Sequence, residues 1–479
     1  MNRAQQAASP LYLKVARQIE GQIRKGALAV GDRVPSIRGL RRQQGVSVST
    51  VLQAYLWLEN QGWIESRPQS GFYVRTPYAE LVPEPEGYTT RKAPTEVGIT
   101  NLVSEVVNAV GDPSMVPFGA ASASPELYPN RRLNKIIHKI IRQTPAHSAR
   151  YDLPLGAQAL RRQIARRSTG YGCSFSPKEI LITCGAMEAL NLALRAVARP
   201  GDVIAIESPT YWGILQIIQT LQMKAIEIPT HPRNGMDLHA LSSAIRKHGV
   251  RACVGMTNCH NPLGFVTSDD YKKELVSVLA QHEVPLIEED IYADLTFNGI
   301  RPNTAKTFDT NGLVLLCSSY SKVLAPGFRI GWIHAGRFQR EVERQKFTSS
   351  IASPSLPQLA IAEFLESGGY DRYLRGLRGA LSAQVQMVSQ AIARYFPEGT
   401  RLSRPAGGYV LWVELPKRVD ALKLYRVSLE HNISILPGPI CSPSGQFQNY
   451  IRINCGLSWS DTVERALATV GKLCDKSLS

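Results

Sequence analysis

The chain has 479 residues, too many for one ordinary domain, and carries a formal charge of +16, with 55 Lys and Arg against 39 Asp and Glu. With 44% hydrophobic and 20% charged residues it has a globular, water-soluble composition, and no apolar run approaches the about eighteen residues of a membrane span. The start, Met1-Asn2-Arg3, lacks the apolar core of a signal peptide, so a cytoplasmic protein with no membrane partner is expected. Eight cysteines scattered without Cys-x-x-Cys spacing read as reduced core thiols, and no metal site is expected. A basic field of this size suits a protein that must find phosphate backbones.

From the N-terminus, apolar residues at Leu11, Val15, Ile19 and Ile23 share one helical face, and Gly26 ends that helix. Ser36 caps a short second helix carrying Ile37 and Leu40, which stops at Gly45. Ser47 opens a third, through Val51, Ala54, Tyr55 and Leu58 toward Gly62. Two short helices around a glycine turn make a helix-turn-helix. The strand-like runs Trp63-Ile64-Glu65-Ser66 and Gly71-Phe72-Tyr73-Val74 then form a wing. Through Glu80 there are eleven basic and five acidic residues, a balance that favours nucleic acid.

The words Arg33-Val34-Pro35-Ser36-Ile37-Arg38 and Gly45-Val46-Ser47-Val48-Ser49-Thr50-Val51 resemble the winged helix-turn-helix of GntR-type bacterial regulators. That resemblance implies double-stranded DNA as a partner. It places Arg38, Ser47, Ser49, Thr50 and Tyr55 toward DNA, with Arg67 and Gly71 in the wing. Val48 stands where many members carry arginine, which removes one expected contact. The first domain is assigned to residues 1–75, and a linker rich in Pro77, Pro83, Pro85 and Pro94 to 76–98.

Residues 99–479 form the second domain. After a helix around Leu102 to Val110, apolar runs alternate with helical stretches: Ile180 to Cys184, Val203 to Ile206, Ala225 to Ile228, Ala252 to Met256, Pro285 to Glu288 and Val314 to Leu316. The alternation predicts an α/β domain, a mostly parallel sheet with helices on both faces, and ligands at the carboxyl ends of its strands. One lysine, Lys322, follows such a run through Ser319-Tyr320-Ser321, in a turn that Pro326 and Gly327 keep non-helical, with Arg329 seven residues on. An amine among hydroxyls and a guanidinium suits a phosphorylated aldehyde, which the amine attaches as a Schiff base. Gly185, Ala186 and Met187 enter a helix whose free amides can hold phosphate.

Tyr151 to Gly156, Asn261-Pro262-Leu263-Gly264, Asp290-Ile291-Tyr292, Ser319 to Lys322, Pro326 to Arg329 and Tyr450 to Asn454 resemble the class I aminotransferases, fold type I pyridoxal-phosphate enzymes with a small C-terminal α+β subdomain. The resemblance implies pyridoxal 5'-phosphate on Lys322 and Asp290 paired with the pyridine nitrogen. Asn261 and Tyr292 would bond the ring oxygen, and Tyr211 would stack on the ring. Phosphate would fall to Gly185, Ala186, Met187, Ser319, Arg329 and, from a partner subunit of a homodimer, Tyr151. Arg452 would bind the carboxylate of an amino acid.

A GntR-type winged helix followed by such a domain resembles the MocR family of transcription regulators. The function this implies is a DNA-binding regulator that senses an amino acid, another carboxylate-bearing effector, or the cofactor itself. The competing reading is an active aminotransferase that moves an amino group to a 2-oxo acid. A third is a DNA-bound protein with a vestigial, cofactor-free domain, against which Lys322, Asp290 and Arg329 stand.

Overall fold

The structure, a computed structural model, describes residues 10–60, 62–67, 70–74, 82–88, 90, 93–143 and 152–476, with Asn60 and Arg67 described in backbone only. Tyr151 lies outside the described residues. Helix α1 (Leu11–Arg24) buries Leu13, Val15, Ala16 and Ile19. Helix α2 (Ile37–Gln44) begins where Ser36 Oγ accepts from Gly39 N over 3.0 Å, a cap worth about 1 kcal/mol. It ends at Gly45, whose φ of 63° suits a residue without a Cβ. Ser47 caps α3 (Val48–Asn60) by accepting from Thr50 N at 3.1 Å. Strands β1 (Ile64–Arg67) and β2 (Gly71–Val74) pair antiparallel, Arg67 opposite Gly71. Val15, Ile19, Leu40, Val51, Leu58 and Ile64 close one small core beneath them.

Within the assigned linker, β3 (Thr95–Glu96) already pairs with the large sheet, and α4 (Thr100–Gly111) follows it. The large sheet then collects β4 (Ile180–Thr183), β5 (Val203–Ser208), β6 (Lys224–His231), β7 (Val250–Gly255), β8 (Leu286–Glu289), β9 (Val314–Ser319) and β10 (Gly331–His334). Their spatial order is β3-β6-β5-β7-β8-β9-β10-β4, with the short strand Gly235–Met236 beside β6. The five from β6 to β9 in that order run parallel, while β10 lies antiparallel to both of its neighbours. Burial on both faces explains why β4 and the first four residues of β9 read as near-continuous apolar runs. Helix α5 (Ala186–Val197) leaves the end of β4, and helix α6 (Gly369–Tyr395) spans 27 residues.

A smaller antiparallel sheet completes the chain, built on β11 (Val410–Glu414) and β12 (Tyr450–Asn454) with Arg401–Leu402 and Leu436–Pro437 at its edges. The fold class is therefore the expected one: a winged helix-turn-helix, an α/β domain with a mostly parallel sheet, and a small C-terminal α+β subdomain. Strands β3, β10 and β11 are elements that apolar alternation did not announce. The end of the winged helix's α3 lies against α6 of the large domain. A Cβ on Gly62, after α3, would sit 2.8 Å from Nε2 of Gln386 on α6.

Candidate active site

The carboxyl ends of β5, β7, β8 and β9 open onto one cavity of about 340 Å³. Strand β9 delivers Lys322 to it: after Ser319 the chain turns, with Tyr320 N donating to Ile330 O over 3.0 Å. Lys322 Nζ donates to Ala121 O at 2.5 Å. Burial pulls the amine down to about 8, helped by Arg452 and Arg329 and opposed by Glu289. Near neutral pH such an amine has a far larger uncharged, nucleophilic fraction than a surface lysine.

The carboxylate facing Lys322 belongs to Glu289, and this corrects the expectation for Asp290. Successive strand residues point to opposite faces, so Glu288 and Asp290 share one side and Glu289 takes the other. Glu289 lines the Lys322 cavity, its Oε2 buried without a hydrogen-bond partner among the described residues. Burial raises its carboxyl to about 7, with Lys322 pulling the other way. Asp290 is committed elsewhere. Its Oδ2 accepts from Arg301 Nη2 at 2.5 Å and its Oδ1 from Asn258 Nδ2 at 3.2 Å. Glu288 is likewise tied down, by Thr257 and the Ala305 and Lys306 amides.

A cradle for an anion forms at the start of α5. Gly185 has φ 78°, and Arg329 occupies the space a Cβ there would need, so only glycine lets the guanidinium lie against this turn. Arg329 itself adopts φ 52°, the left-handed region, a costly conformation for a residue with a side chain. Its Nη1 donates to Ser321 Oγ at 3.0 Å. Ala186, Met187, Ser319, Ser321 and Arg329 all line the cavity, and the α5 N-terminus adds its partial positive charge. The Ala186 and Met187 side chains donate nothing, which leaves their backbone amides.

On the opposite wall, β12 presents Arg452, 2% exposed. Its Nη1 donates to Asn261 Oδ1 at 3.1 Å and its Nη2 to the carbonyls of Gly119 and Ala120 at 2.8 and 2.9 Å, while Nε has no partner among the described residues. Tyr292 is buried with its hydroxyl unpartnered among them, and burial holds its proton on well above the usual phenol range. Tyr211 lines the cavity beside Trp212. Val106, Val107 and Val110 of α4 supply an apolar wall that no motif revealed. Of the sequence-predicted residues, Lys322, Asn261, Tyr292, Tyr211, Ala186, Met187, Ser319, Arg329 and Arg452 line this cavity, and Gly185 abuts it. Glu289 was missed, and Ser321 was read only as one of the hydroxyls before the lysine.

In the winged helix Arg38, Ser47 and Ser49 are exposed and Thr50 and Gly71 are half-buried. Ser47 Oγ shares hydrogen bonds with Ser49 Oγ and Thr50 Oγ1, both at 2.8 Å, so these hydroxyls present one polar cluster at the start of α3. Tyr55 corrects its expectation. It is fully buried, bonds the Pro35 carbonyl, and meets Phe72 edge to face at 5.1 Å. It pins α3 to α2 and the wing and cannot face DNA. Val48, Leu52 and Leu56, one turn apart, form the exposed apolar stripe of α3. The Arg67 side chain lies outside the described residues.

Winged helix and lysine-bearing cavity together define a helix-turn-helix regulator built onto an aminotransferase-type domain. Residues 11–74 match the gntR family of bacterial regulatory proteins, and 126–470 match aminotransferase class I and II. The HTH-type transcriptional regulator YdcR of Escherichia coli K12 is 40% identical over 98% of this chain and 99% of its own. YjiR of the same organism is 34% identical over 96% of this chain and 98% of its own. Among solved structures, LysN, the α-aminoadipate aminotransferase of Thermus thermophilus complexed with N-(5'-phosphopyridoxyl)-L-leucine, superposes with a TM-score of 0.72 at 25% identity, covering 78% of this chain and 95% of its own. The chain belongs to the MocR-type gntR-family transcription regulators, in which a DNA-binding helix-turn-helix precedes an aminotransferase domain.

Proposed function

We propose that this regulator binds pyridoxal 5'-phosphate at Lys322 and senses a carboxylate-bearing amino acid there, altering how its winged helix holds DNA. The observation that carries the reading is a set of three buried polar atoms, without partners among the described residues, whose side chains line one cavity: Glu289 Oε2, Tyr292 Oη and Arg452 Nε. Each orphan of this kind costs about 1–3 kcal/mol in a dry interior. The three fit a ring nitrogen, a phenolic oxygen and a carboxylate.

Bound at Lys322, the cofactor supplies an electron sink for charge at the carbon bearing the amino group. The chain's own residues do the rest. Glu289 holds a proton at the ring nitrogen, while Tyr292 and Asn261 donate to the ring oxygen. Tyr211 covers a ring face. Arg329, Ser319, Ser321 and the amides of Gly185, Ala186 and Met187 hold the phosphate, with Tyr151 of a second copy. Arg452 receives the effector carboxylate, and α4 offers an apolar wall to its side chain. Phe347 and Ile351, one turn apart and 58% and 43% exposed, together with Leu153 at 75%, support a homodimer that covers them.

Arg38 and the Ser47, Ser49 and Thr50 hydroxyls serve the DNA backbone, and the methyl groups of Val48 suit a thymine methyl in the major groove. The Gly62 contact with Gln386 gives the two domains a shared surface whose geometry a ligand can bias only by different affinities for the two arrangements. A DNA-binding regulator works where the DNA is, so we place it in the cytoplasm, and among the described residues no helix is long and apolar enough to cross a membrane. The aminotransferase alternative keeps one observation in its favour, that the lysine, carboxylate and arginine all face one cavity. Turnover with an amino acid and a 2-oxo acid, measured beside DNA affinity, separates the two: regulated DNA binding without turnover supports the regulator.

A further inference from the structure

The side of β8 turned away from Lys322 opens onto a second cavity of about 330 Å³. It shares Ile291 and Ser319 with the first as a common wall. Its charges are of both signs and do not cancel. Asp290 and Asp294 are both held by Arg301, at 2.5 and 3.0 Å, and Asp371 is held by Arg167 at 2.8 Å. Two further arginines line the cavity with no carboxylate bonded to them among the described residues. Arg378 donates only to the carbonyls of Asp294 and Gly299, at 2.6 and 3.1 Å. Arg375, exposed at the rim, has no hydrogen bond or ion pair among the described residues. Flat rings face the same space: Tyr171, with Arg301 stacked 4.2 Å over it, Tyr320 and Trp332.

We propose that this cavity is a second ligand site, for a small organic anion, a carboxylate or a phosphate monoester on a flat ring. Its four guanidiniums exceed its three carboxylates, and the surplus sits on Arg375 and Arg378, one turn apart on α6, where a bidentate anion gains two charge-assisted contacts. The aromatic walls accept the ring. The site is distinct from the Arg452 subsite, because Arg452 lines only the Lys322 cavity. Helix α6 bears Arg375 and Arg378 as well as Gln386 beneath the winged helix, so a ligand here is held by the element that meets the DNA-binding domain.

The test uses the full-length protein with pyridoxal 5'-phosphate added and carrying Arg452→Gln, so that carboxylates lose the other subsite. Benzoate and phenyl phosphate are titrated by saturation-transfer NMR and calorimetry. We expect binding of at least one probe to persist in this background and to weaken about ten-fold on adding Arg375→Gln, and further with Arg378→Gln. The tighter probe distinguishes carboxylate from phosphate recognition. Arg375 makes no internal bond among the described residues, so its substitution leaves the fold intact, and an unchanged urea midpoint checks this. Absence of binding by both probes at millimolar concentration overturns the proposal, as does binding that Arg375→Gln leaves unaltered.

Discussion

Glu289 and Asp290 are neighbours in the chain that face opposite sides of the sheet, Glu289 into the cavity of Lys322 and Asp290 onto Arg301. The two carboxylates therefore do different work, and substitution separates them. Glu289→Gln keeps the shape and removes the negative charge, so the protein is expected to fold normally and still take up pyridoxal phosphate. Any half-reaction with an amino acid should slow by on the order of 10²-fold. Asp290→Asn leaves Arg301 with Asp294 alone and is expected to cost about 3 kcal/mol of stability in urea unfolding. If Asp290→Asn instead leaves stability unchanged and abolishes cofactor chemistry, the assignment of the two faces is wrong.

Lys322 makes a second prediction, in pH. Its amine titrates at about 8 when folded against 10.5 for an ordinary lysine, so between those values the unfolded chain binds the extra proton and stability rises with pH. Below pH 8 the penalty of a buried ammonium is fully present. Apoprotein Lys322→Met should thus be more stable than the parent at pH 7, by on the order of 2 kcal/mol, and the advantage should shrink as pH climbs toward about 10. A difference that stays flat with pH would show that the amine is not desolvated. The same variant should lose the visible absorbance of the lysine-linked cofactor.

Arg452→Gln removes the buried guanidinium that spans Asn261 and two backbone carbonyls. Cofactor uptake should survive. Affinity for an amino-acid effector should fall by about 2–3 kcal/mol, roughly a hundred-fold, as calorimetry on the cofactor-loaded protein would read it. Undiminished effector binding would move the carboxylate subsite elsewhere.

Arg38 and Tyr55 test the winged helix. Arg38→Ala should weaken DNA binding across sequences and lower the salt slope by about 1. Tyr55→Phe keeps the ring against Phe72 and loses only the bond to the Pro35 carbonyl, so it should cost about 1 kcal/mol of domain stability while leaving the salt slope alone. A change of slope in Tyr55→Phe would put that hydroxyl at the DNA after all.

The parallel strands and the lysine turn were legible in the sequence because buried parallel strands write apolar runs, and because glycine and proline mark the turns after them. The phase within a strand was not. Pro285 to Glu288 is buried on both sides, so no alternation says which of Glu288, Glu289 and Asp290 faces which way, and a slip of one residue exchanges the faces. Tyr55 shows the opposite case: it lies on the helical face of Val51 and Leu58, and that spacing alone argued for the core. Strand β10 was hidden by its place, since it follows directly on the turn of Pro326 to Arg329, which read as part of the site. The apolar wall from α4 comes from the far end of the chain, and nothing local ties Val106 to Lys322.

The most direct test of a ligand-gated regulator is fluorescence anisotropy of full-length protein on DNA from upstream of its own and the neighbouring gene, across a salt series. It is run with and without pyridoxal phosphate, and then with added amino acids. We predict tight, sequence-selective binding whose affinity shifts several-fold with cofactor in the parent protein and does not shift in Lys322→Met. Weak binding indifferent to sequence, or affinity unmoved by cofactor and amino acids alike, would contradict the proposal.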